Sequence, residues 1–339
     1  MSWHVVPASE FARHAPRWRA LHAASAGSPL LTADFVEALL AAFGTGKEML
    51  AWHARGDDTD VMTILVPARF GMWNTFQPSQ APVGLWLQRG GDAPTTLLAD
   101  LLRALPGPGL ALGITQCDPM LMTRPADSAT LRSLDYIETA RVTLKDAGGF
   151  DAYWEARGKN LRNNLKKQRN RLRQDGIEPR LEICRAPEQM AQAVADYGRL
   201  EGSGWKAAGG TAVDADGSQG RFYRTMLESF AARGAARVYR YWLGDQLAAM
   251  DLCVEGGGCI VILKTAYDES VPKHLSPALL MREEASRGLF EEGRFERIEF
   301  YGRVMEWHRR WTDEVRTMYH LNGYRWSALA RLHALAKQR

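Results

Sequence analysis

The chain has 339 residues, of which 46% are hydrophobic and 24% charged, enough apolar material for one large core or two ordinary ones. This composition excludes wholesale disorder, and no run approaches the roughly 18–20 uninterrupted apolar residues that span a bilayer. The first residues lack the basic region and apolar core of a signal peptide. Four cysteines show no metal or disulfide spacing, so we expect buried reduced thiols. These features predict a soluble, cytoplasmic protein.

The positive charge of the chain is concentrated in one segment. The formal net charge is only +4, yet residues 157–173 hold eight Lys or Arg and no Asp or Glu. The rest of the chain is therefore slightly negative. The basicity is local and requires a local explanation.

The first half of the chain reads as a mixed α/β unit. In chain order the patterns predict a strand (3–8), two helices (10–25 and 28–44), two strands (48–54 and 61–70), a Pro/Gly/Gln-rich passage (71–82), a strand (83–88), a helix (94–107) and two strands (110–115 and 136–146). Thr32 or Asp34 is expected to cap the second helix, and Gly44 to end it. This half closes near Asp146.

The second half opens with a basic helix over 150–174. The patterns then predict a strand (180–186), two helices (187–202 and 220–234), three strands (236–243, 246–256 and 258–267), a helix (276–293), a strand (297–302) and a Trp-rich segment after residue 302. The order strand, two helices, three antiparallel strands, helix, strand thus occurs twice. The halves share no obvious sequence identity, so we predict an α/β (α+β) architecture repeated in domains 1–146 and 147–339.

Three stretches of the second half resemble a known family. They are the basic helix, "LKTAYDESVPKHLSPALL" and "IEFYGRVMEWHRRWTDEVR", and with "EGSGWK" they cover roughly residues 150–325. Together with the element order they resemble the CelD-type acetyltransferase-like family, a tandem-GNAT group related to the Fem-type peptidyltransferases. The resemblance implies two tandem GNAT-like domains, each a mixed, mostly antiparallel sheet flanked by helices. The first half matches by element order alone.

The resemblance implies a site for acyl-CoA, acetyl or longer, where strand 258–267 leads into the next helix. In a GNAT fold this strand pairs with the pantetheine arm, and the helix N-terminus suits a pyrophosphate. Ile262 and Leu263 are then assigned to the strand, Lys273 and His274 to the loop, and Ser276 to the helix start. The loop lacks the usual phosphate-binding glycines, which puts close backbone approach in doubt. Ser-Pro is also an ordinary helix cap.

Four residues are candidates for the chemistry. Lys264 ends an apolar strand, where it would pair with nearby Asp268 or Glu269, stabilise an oxyanion, or simply reach solvent. Glu299 and Tyr301 alternate on the strand 297–302, as general base and general acid. Asp251, within an apolar strand, is the rival base.

Candidates for substrate binding include aromatic, acidic and cationic residues. Trp205 and Lys206 open a Gly- and Asp-rich loop that either closes over a substrate or is a plain surface loop, and Asp268 follows the Lys264 strand. Trp307 and Trp311, four residues apart, are expected on one helix face, either in the core or against substrate.

The other candidates for substrate binding are cationic. Arg310 and Arg316 could grip an anion or form ordinary ion pairs. Arg162, Lys166 and Arg169 line a face of the basic helix beside a Leu161, Leu165 and Leu172 stripe. This face suits CoA phosphates, a nucleotide sugar, tRNA or an anionic lipid, unless it is a solvated surface.

Three functions from different classes follow. The first is transfer of an acyl group from acyl-CoA to an amine of a small, sugar-type or cell-envelope acceptor, by direct attack and without a metal. The second is Fem-like aminoacyl transfer from aminoacyl-tRNA. Fem-type proteins commonly carry a long inserted helical hairpin, whereas residues 150–180 supply only one helix, which counts against this function. The third is a non-catalytic GNAT-derived scaffold, which the missing loop glycines favour and the coexistence of Lys264, Asp268 and Ser276 opposes.

Overall fold

A computed structural model describes residues 2–56, 58–91, 95–145, 147–202, 214 and 216–336. They form two compact units: unit 1, Met1–Glu138 with Arg316–Arg339, and unit 2, Thr139–Val315. This division differs from the predicted domains at both ends of the second half, because residues 139–146 group with unit 2 and residues 316–339 with unit 1. The division of the sequence at residue 146 into two halves with the same element order remains a prediction.

Unit 1 is built on a sheet in the order β1-β2-β3-β4-β6-β13. Its strands are β1 (Ser2–Pro7), β2 (Met49–Arg55), β3 (Asp58–Pro67), β4 (Met72–Thr75), β5 (Trp86–Gln88), β6 (Ala111–Cys117) and β13 (Val315–Tyr324). Neighbours pair antiparallel except β4 with β6, which is parallel, and β5 adds to β3. The helices are α1 (Phe11–Ala23), α2 (Ala33–Phe43), α3 (Leu98–Ala104) and α10 (Ser327–Ala336). Thr32 caps α2 through its side chain, as one of the two predicted caps.

Unit 2 repeats this order with β8-β9-β10-β11-β12-β7. The strands are β8 (Pro179–Cys184), β9 (Ala236–Leu243), β10 (Gln246–Gly256), β11 (Cys259–Tyr267), β12 (Arg297–Phe300) and the end of β7 (Leu131–Thr143), from Thr139 on. All these neighbours are antiparallel except β11 with β12. The helices are α4 (Gly149–Glu155), α5 (Lys159–Gln174), α6 (Pro187–Gly202), α7 (Ser218–Ala231), α8 (Pro277–Glu292) and α9 (Glu306–Arg309). The predicted fold class, with mixed, mostly antiparallel sheets flanked by helices, is confirmed.

Each unit has its own hydrophobic core. In unit 2 the core joins β9, β10 and β11 to α5 and α8, with Trp311 among the largest buried side chains. Leu161, Leu165 and Leu172 are buried in it, so the predicted apolar stripe does dock the basic helix. Leu98, Leu101 and Leu102 of α3 pack into the core of unit 1.

Several predicted boundaries are wrong. The basic segment is not one helix: α4 ends at Glu155 and α5 starts after Gly158, whose extended backbone (ψ 133°) breaks the helical path. The Gly- and Pro-rich passage contains β4, because four of its residues pair with β3 and β6. The Trp-rich end contains β13, which joins the sheet of unit 1 through β6.

Two findings concern the whole of the described chain. All four cysteines are buried and unlinked, as expected for reduced thiols. No described helix combines the length and apolar character needed to cross a membrane.

Candidate active site

The parallel pair β11 and β12 runs together for four residues only. Its register begins at Cys259 and Arg297 and ends at Ile262 and Phe300, whereas β11 stays paired with β10 as far as Tyr267. A bulge falls at the point of divergence, because Cys253 faces Ile262 and Leu252 faces Lys264, leaving Leu263 as the extra residue. We call residues 263–267 the β11 extension. A strand edge of this kind suits an extended ligand.

A cavity of about 790 Å³ lies beside the β11 extension. Its walls are Thr265 and Tyr267 of the extension, the 268–276 loop, the first turns of α8 and the segment 305–311. The loop contributes carboxylates and Lys273, and α8 contributes Ala278, Leu279 and Arg282. The site therefore combines apolar walls with a few polar groups, as ligand sites commonly do.

The N-terminus of α8 is engaged with other parts of unit 2. Ser276 occupies the N-cap position, but its side chain makes no capping hydrogen bond. Its backbone N–H donates instead to Oε1 of Gln168, at 2.7 Å. Pro277 has no N–H, and the N–H groups of Leu279 and Leu280 donate to the Ser276 carbonyl.

Lys264 points away from this cavity. Its Nζ lies 3.4 Å from both carboxylate oxygens of Glu201, and 5.8 Å from the ring centroids of Tyr197 and Tyr223. Glu201 has a side-chain exposure of 1% and Lys264 of 21%. Because successive strand residues face opposite sides, Thr265 reaches the cavity while Lys264 faces α6. The expected pairing of Lys264 with Asp268 or Glu269 is therefore replaced by a pairing with Glu201.

Glu201 is the functional candidate that sequence reasoning missed. It lies in the last turn of α6, 63 residues from Lys264. The Tyr197 hydroxyl donates to it at 3.3 Å, and burial, followed by the Glu201 charge, holds the pKa of Tyr197 well above its ordinary value. The available sequence signal was a glutamate on the buried face of the helical pattern 187–202, where a charged residue needs a partner.

Asp251 lies in a fully buried network. Its Oδ2 is 2.8 Å from Nη1 of Arg282, and its Oδ1 accepts from the Thr265 hydroxyl at 2.5 Å. Arg282 also donates to Thr265. Burial raises the pKa of Asp251, while Arg282 and Thr265 act in the opposite direction. The carboxylate positions Arg282 and Thr265 at the cavity wall.

Glu299 and Tyr301 do not share a strand. Glu299 is buried within β12, where its Oε1 accepts from Nε of Arg297 at 2.9 Å. The strand ends at Phe300, so Tyr301 lies in the following turn and is half-buried. The predicted alternation of the two side chains on one strand is wrong, because β12 is two residues shorter than its sequence pattern.

The tryptophan pair lines the cavity without sharing a helix face. The helix α9 stops at Arg309, two residues before Trp311. Trp311 is buried, its carbonyl accepts from Tyr153 and Arg157, and Trp307 stacks on His308. Both tryptophans belong to the cavity wall as well as to the core.

The remaining arginine candidates make ordinary ion pairs. Arg310 is exposed and pairs with Glu306 at 2.8 Å. Arg316 belongs to unit 1, where it binds the buried Asp118 through two hydrogen bonds.

The basic helix divides its cations between docking and solvent. Arg169 pairs with Glu283 at 2.9 Å and with Glu284 at 2.7 Å, which fixes α5 to α8. Arg162 donates to the Arg157 carbonyl, and Lys166 is exposed. Of the predicted anion-binding face, only the solvent-facing part is available to a partner.

The other predicted binding residues are dispersed. Ile262 is buried in the core and Leu263 forms the bulge. Lys273 and His274 are exposed on the loop, and Lys273 borders the cavity. Asp268 borders it too, and accepts from Gln246 and from the Ser270 N–H. Trp205 and Lys206 lie outside the described residues.

Comparison with known proteins supports the fold. Residues 159–309 match the family model Acetyltransf_6, described as an acetyltransferase (GNAT) domain. A search of the curated proteins finds no significant match.

Three solved structures are similar over nearly the whole chain. The crystal structure of FemX has a TM-score of 0.58 and 9% identity, covering 98% of this chain and 99% of its own. A C-terminal domain assigned to a lysylphosphatidylglycerol synthetase from Agrobacterium fabrum has a TM-score of 0.55 and 15% identity, covering 96% of each chain. L-PGS from Bacillus licheniformis has a TM-score of 0.52 and 13% identity, covering 91% of each. At these identities the similarity shows a GNAT-like fold.

Proposed function

We propose that unit 2 transfers an acyl group from acyl-CoA to an amine. The observation that carries this proposal is the β11 extension, which leaves β12 at a bulge and borders a cavity of about 790 Å³. The match of residues 159–309 to a GNAT acetyltransferase domain supports it. The pantetheine arm of the donor would lie along the extension on the cavity side, and its thioester would pass through the gap where β11 leaves β12 to the face that carries Lys264.

The catalytic groups would come from the opposite face of β11. Lys264 would stabilise the oxyanion of the tetrahedral intermediate together with strand N–H groups. Glu201, next to Lys264, would take the proton from the attacking ammonium, directly or through water. Attack of the amine forms the C–N bond of the tetrahedral intermediate, collapse of the intermediate then breaks the C–S bond, and Tyr301 remains our candidate to protonate the leaving thiolate. Asp251 and Glu299 are each bonded to an arginine, so they would hold that arginine in place and would not take the proton from the amine.

The acceptor class follows from resemblance rather than from geometry. The CelD-type resemblance favours an amine on a small molecule or on a sugar-type or cell-envelope precursor.

A second function, aminoacyl transfer from aminoacyl-tRNA, is favoured by a separate observation. On α5 the side chains of Lys166, Lys167 and Arg173 are exposed, and none has a carboxylate partner recorded in the part of the chain that the structure describes. Such a row suits a polyanion, either tRNA or an anionic lipid surface. The name of one similar structure, a lysylphosphatidylglycerol synthetase domain, agrees with a lipid partner.

Thermal-shift titration with acyl-CoAs of increasing length tests the proposal. A ligand at a hundred times its Kd adds about 2.7 kcal/mol, which for a unit of this size raises Tm by about 5–10 °C. The variant Ala278→Phe fills the cavity and is expected to abolish the shift. Glu291→Phe adds the same ring at an exposed position of α8 and serves as the matched control. No shift with any acyl-CoA, together with consumption of aminoacyl-tRNA, would favour the second function.

A further inference from the structure

Gln168 accepts the backbone N–H at the N-cap of α8, the helix end that the GNAT resemblance assigns to a pyrophosphate. Its Oε1 accepts the Ser276 N–H at 2.7 Å, and its Nε2 donates to Asn164 at 3.2 Å. The residue is 3% exposed, so both ends of the amide are used within the protein. An N–H group at a helix N-terminus is able to bind an anion, and here the Gln168 amide oxygen accepts it instead.

The anchoring of α5 makes this contact a built feature. Leu165 and Leu172, on either side of Gln168, are buried in the core of unit 2. One residue further, Arg169 bonds both Glu283 and Glu284 of α8. The Gln168 side chain is therefore carried by a helix that is fixed to α8 by both apolar packing and ion pairs.

The rest of the loop offers a diphosphate one cation, Lys273, and few N–H groups. Pro272 and Pro277 have no N–H. The N–H groups of Ser270 and Val271 donate to Asp268, through its carboxylate and its carbonyl respectively. The hydrogen bonds that Asp268 accepts outweigh its partial burial and lower its pKa, so it stays ionised at the cavity beside Glu269. The charges of Asp268 and Glu269 together exceed the single positive charge of Lys273, so the loop as a whole repels a second anion.

From this geometry we infer that Gln168 excludes a diphosphate from α8, and that the cavity recognises its donor as an acyl-pantetheine thioester. The inference rests on the proposed function and narrows it. The thioester arm would be bound along the β11 extension, and the carrier beyond it would contribute little at α8. Both CoA and the phosphopantetheine of a carrier protein supply this chemistry.

Isothermal titration of the whole chain with S-acetylpantetheine, acetyl-CoA and an acetylated carrier protein tests the inference. Wild type is expected to bind acetylpantetheine and acetyl-CoA with Kd values within about threefold, and the third arm shows whether a carrier protein adds affinity. Gln168→Ala exposes the Ser276 N–H and should tighten acetyl-CoA about tenfold while leaving acetylpantetheine unchanged. Gln168→Met keeps the space filled and should show no gain, and Asn163→Ala is an exposed control on α5.

The outcomes separate this inference from the proposed function. If wild type binds acetyl-CoA at least tenfold tighter than acetylpantetheine, or Gln168→Ala leaves their ratio unchanged, Gln168 does not set donor recognition. If wild type binds no thioester, the acyl-CoA function and the assignment of the donor class both fail. The exclusion of diphosphate is still tested, because Gln168→Ala should then gain a thermal shift with inorganic pyrophosphate that wild type lacks. If Gln168→Ala shows no thermal shift with pyrophosphate, the claim that Gln168 excludes a diphosphate is wrong.

Discussion

Replacing Arg282 with methionine removes one half of a buried ion pair at the cavity wall. The side chains of Arg282 and Asp251 are 4% and 0% exposed, and their charged atoms lie 2.8 Å apart. Removing one partner of such a pair costs about 3–5 kcal/mol, because the other charge stays buried. For a unit of this size the loss corresponds to a fall in Tm of about 10 °C.

Urea denaturation of the single and double variants measures this coupling. Asp251→Leu/Arg282→Met removes both charges and should be more stable than Arg282→Met alone. Arg287→Met on the same helix, whose partner Asp151 is 87% exposed, should change stability by no more than about 0.5 kcal/mol.

The pH dependence adds a second check. Burial already raises the pKa of Asp251, and loss of Arg282 raises it further. A carboxyl group with a raised pKa destabilises the fold when it is forced to ionise, so the defect of Arg282→Met should shrink as the pH falls. A defect that is independent of pH, or a double variant as unstable as the sum of the two single changes, would refute the buried ion pair.

Three further predictions concern separate parts of the chain. Lys264→Met removes the ammonium group that pairs with the buried Glu201. We expect the free energy of unfolding in urea to fall by about 2–3 kcal/mol and the rate of acyl transfer to fall at least about 100-fold. A single-turnover rate equal to that of wild type would show that Lys264 takes no part in the chemistry. Burial, and then a nearby arginine charge, lowers the pKa of His308 from 6.5 to about 4. The unfolded chain takes up this proton first, so about 3 kcal/mol of stability is lost as pH falls from 6.5 towards 4, and His308→Gln should flatten the curve of unfolding free energy against pH. Gly84→Ala places a Cβ against the Thr115 carbonyl oxygen, so unit 1 should lose at least about 2 kcal/mol by calorimetry, while acyl-CoA binding stays unchanged if the donor site is confined to unit 2.

The elements of unit 2 could be predicted because their patterns are local. The strands β9, β10 and β11 and the helices α6 and α8 lie at their predicted places, since periodicity and turn residues report directly on element type. The break at Gly158 was missed because an isolated glycine within a helical pattern does not by itself stop a helix.

The side-chain partners of the site could not be predicted in the same way. Lys264 was paired with acidic residues close in sequence, whereas its partner Glu201 lies on α6. The choice depends on which face of β11 Lys264 occupies, and the bulge at Leu263 sets that face by a long-range register that no local pattern reports. Gln168 was passed over for the same reason, since an uncharged residue among eight cations shows its role only where α5 meets α8.

Photo-crosslinking with an acyl-CoA analogue that carries a diazirine on its pantetheine arm, followed by peptide mass spectrometry, tests the location of the donor site most directly. The account predicts labels on the first turns of α8 and on the segment 305–311, reduced by excess acetyl-CoA and absent in Ala278→Phe. Labels confined to unit 1, or no label that acetyl-CoA competes away, would contradict an acyl-donor site beside the β11 extension.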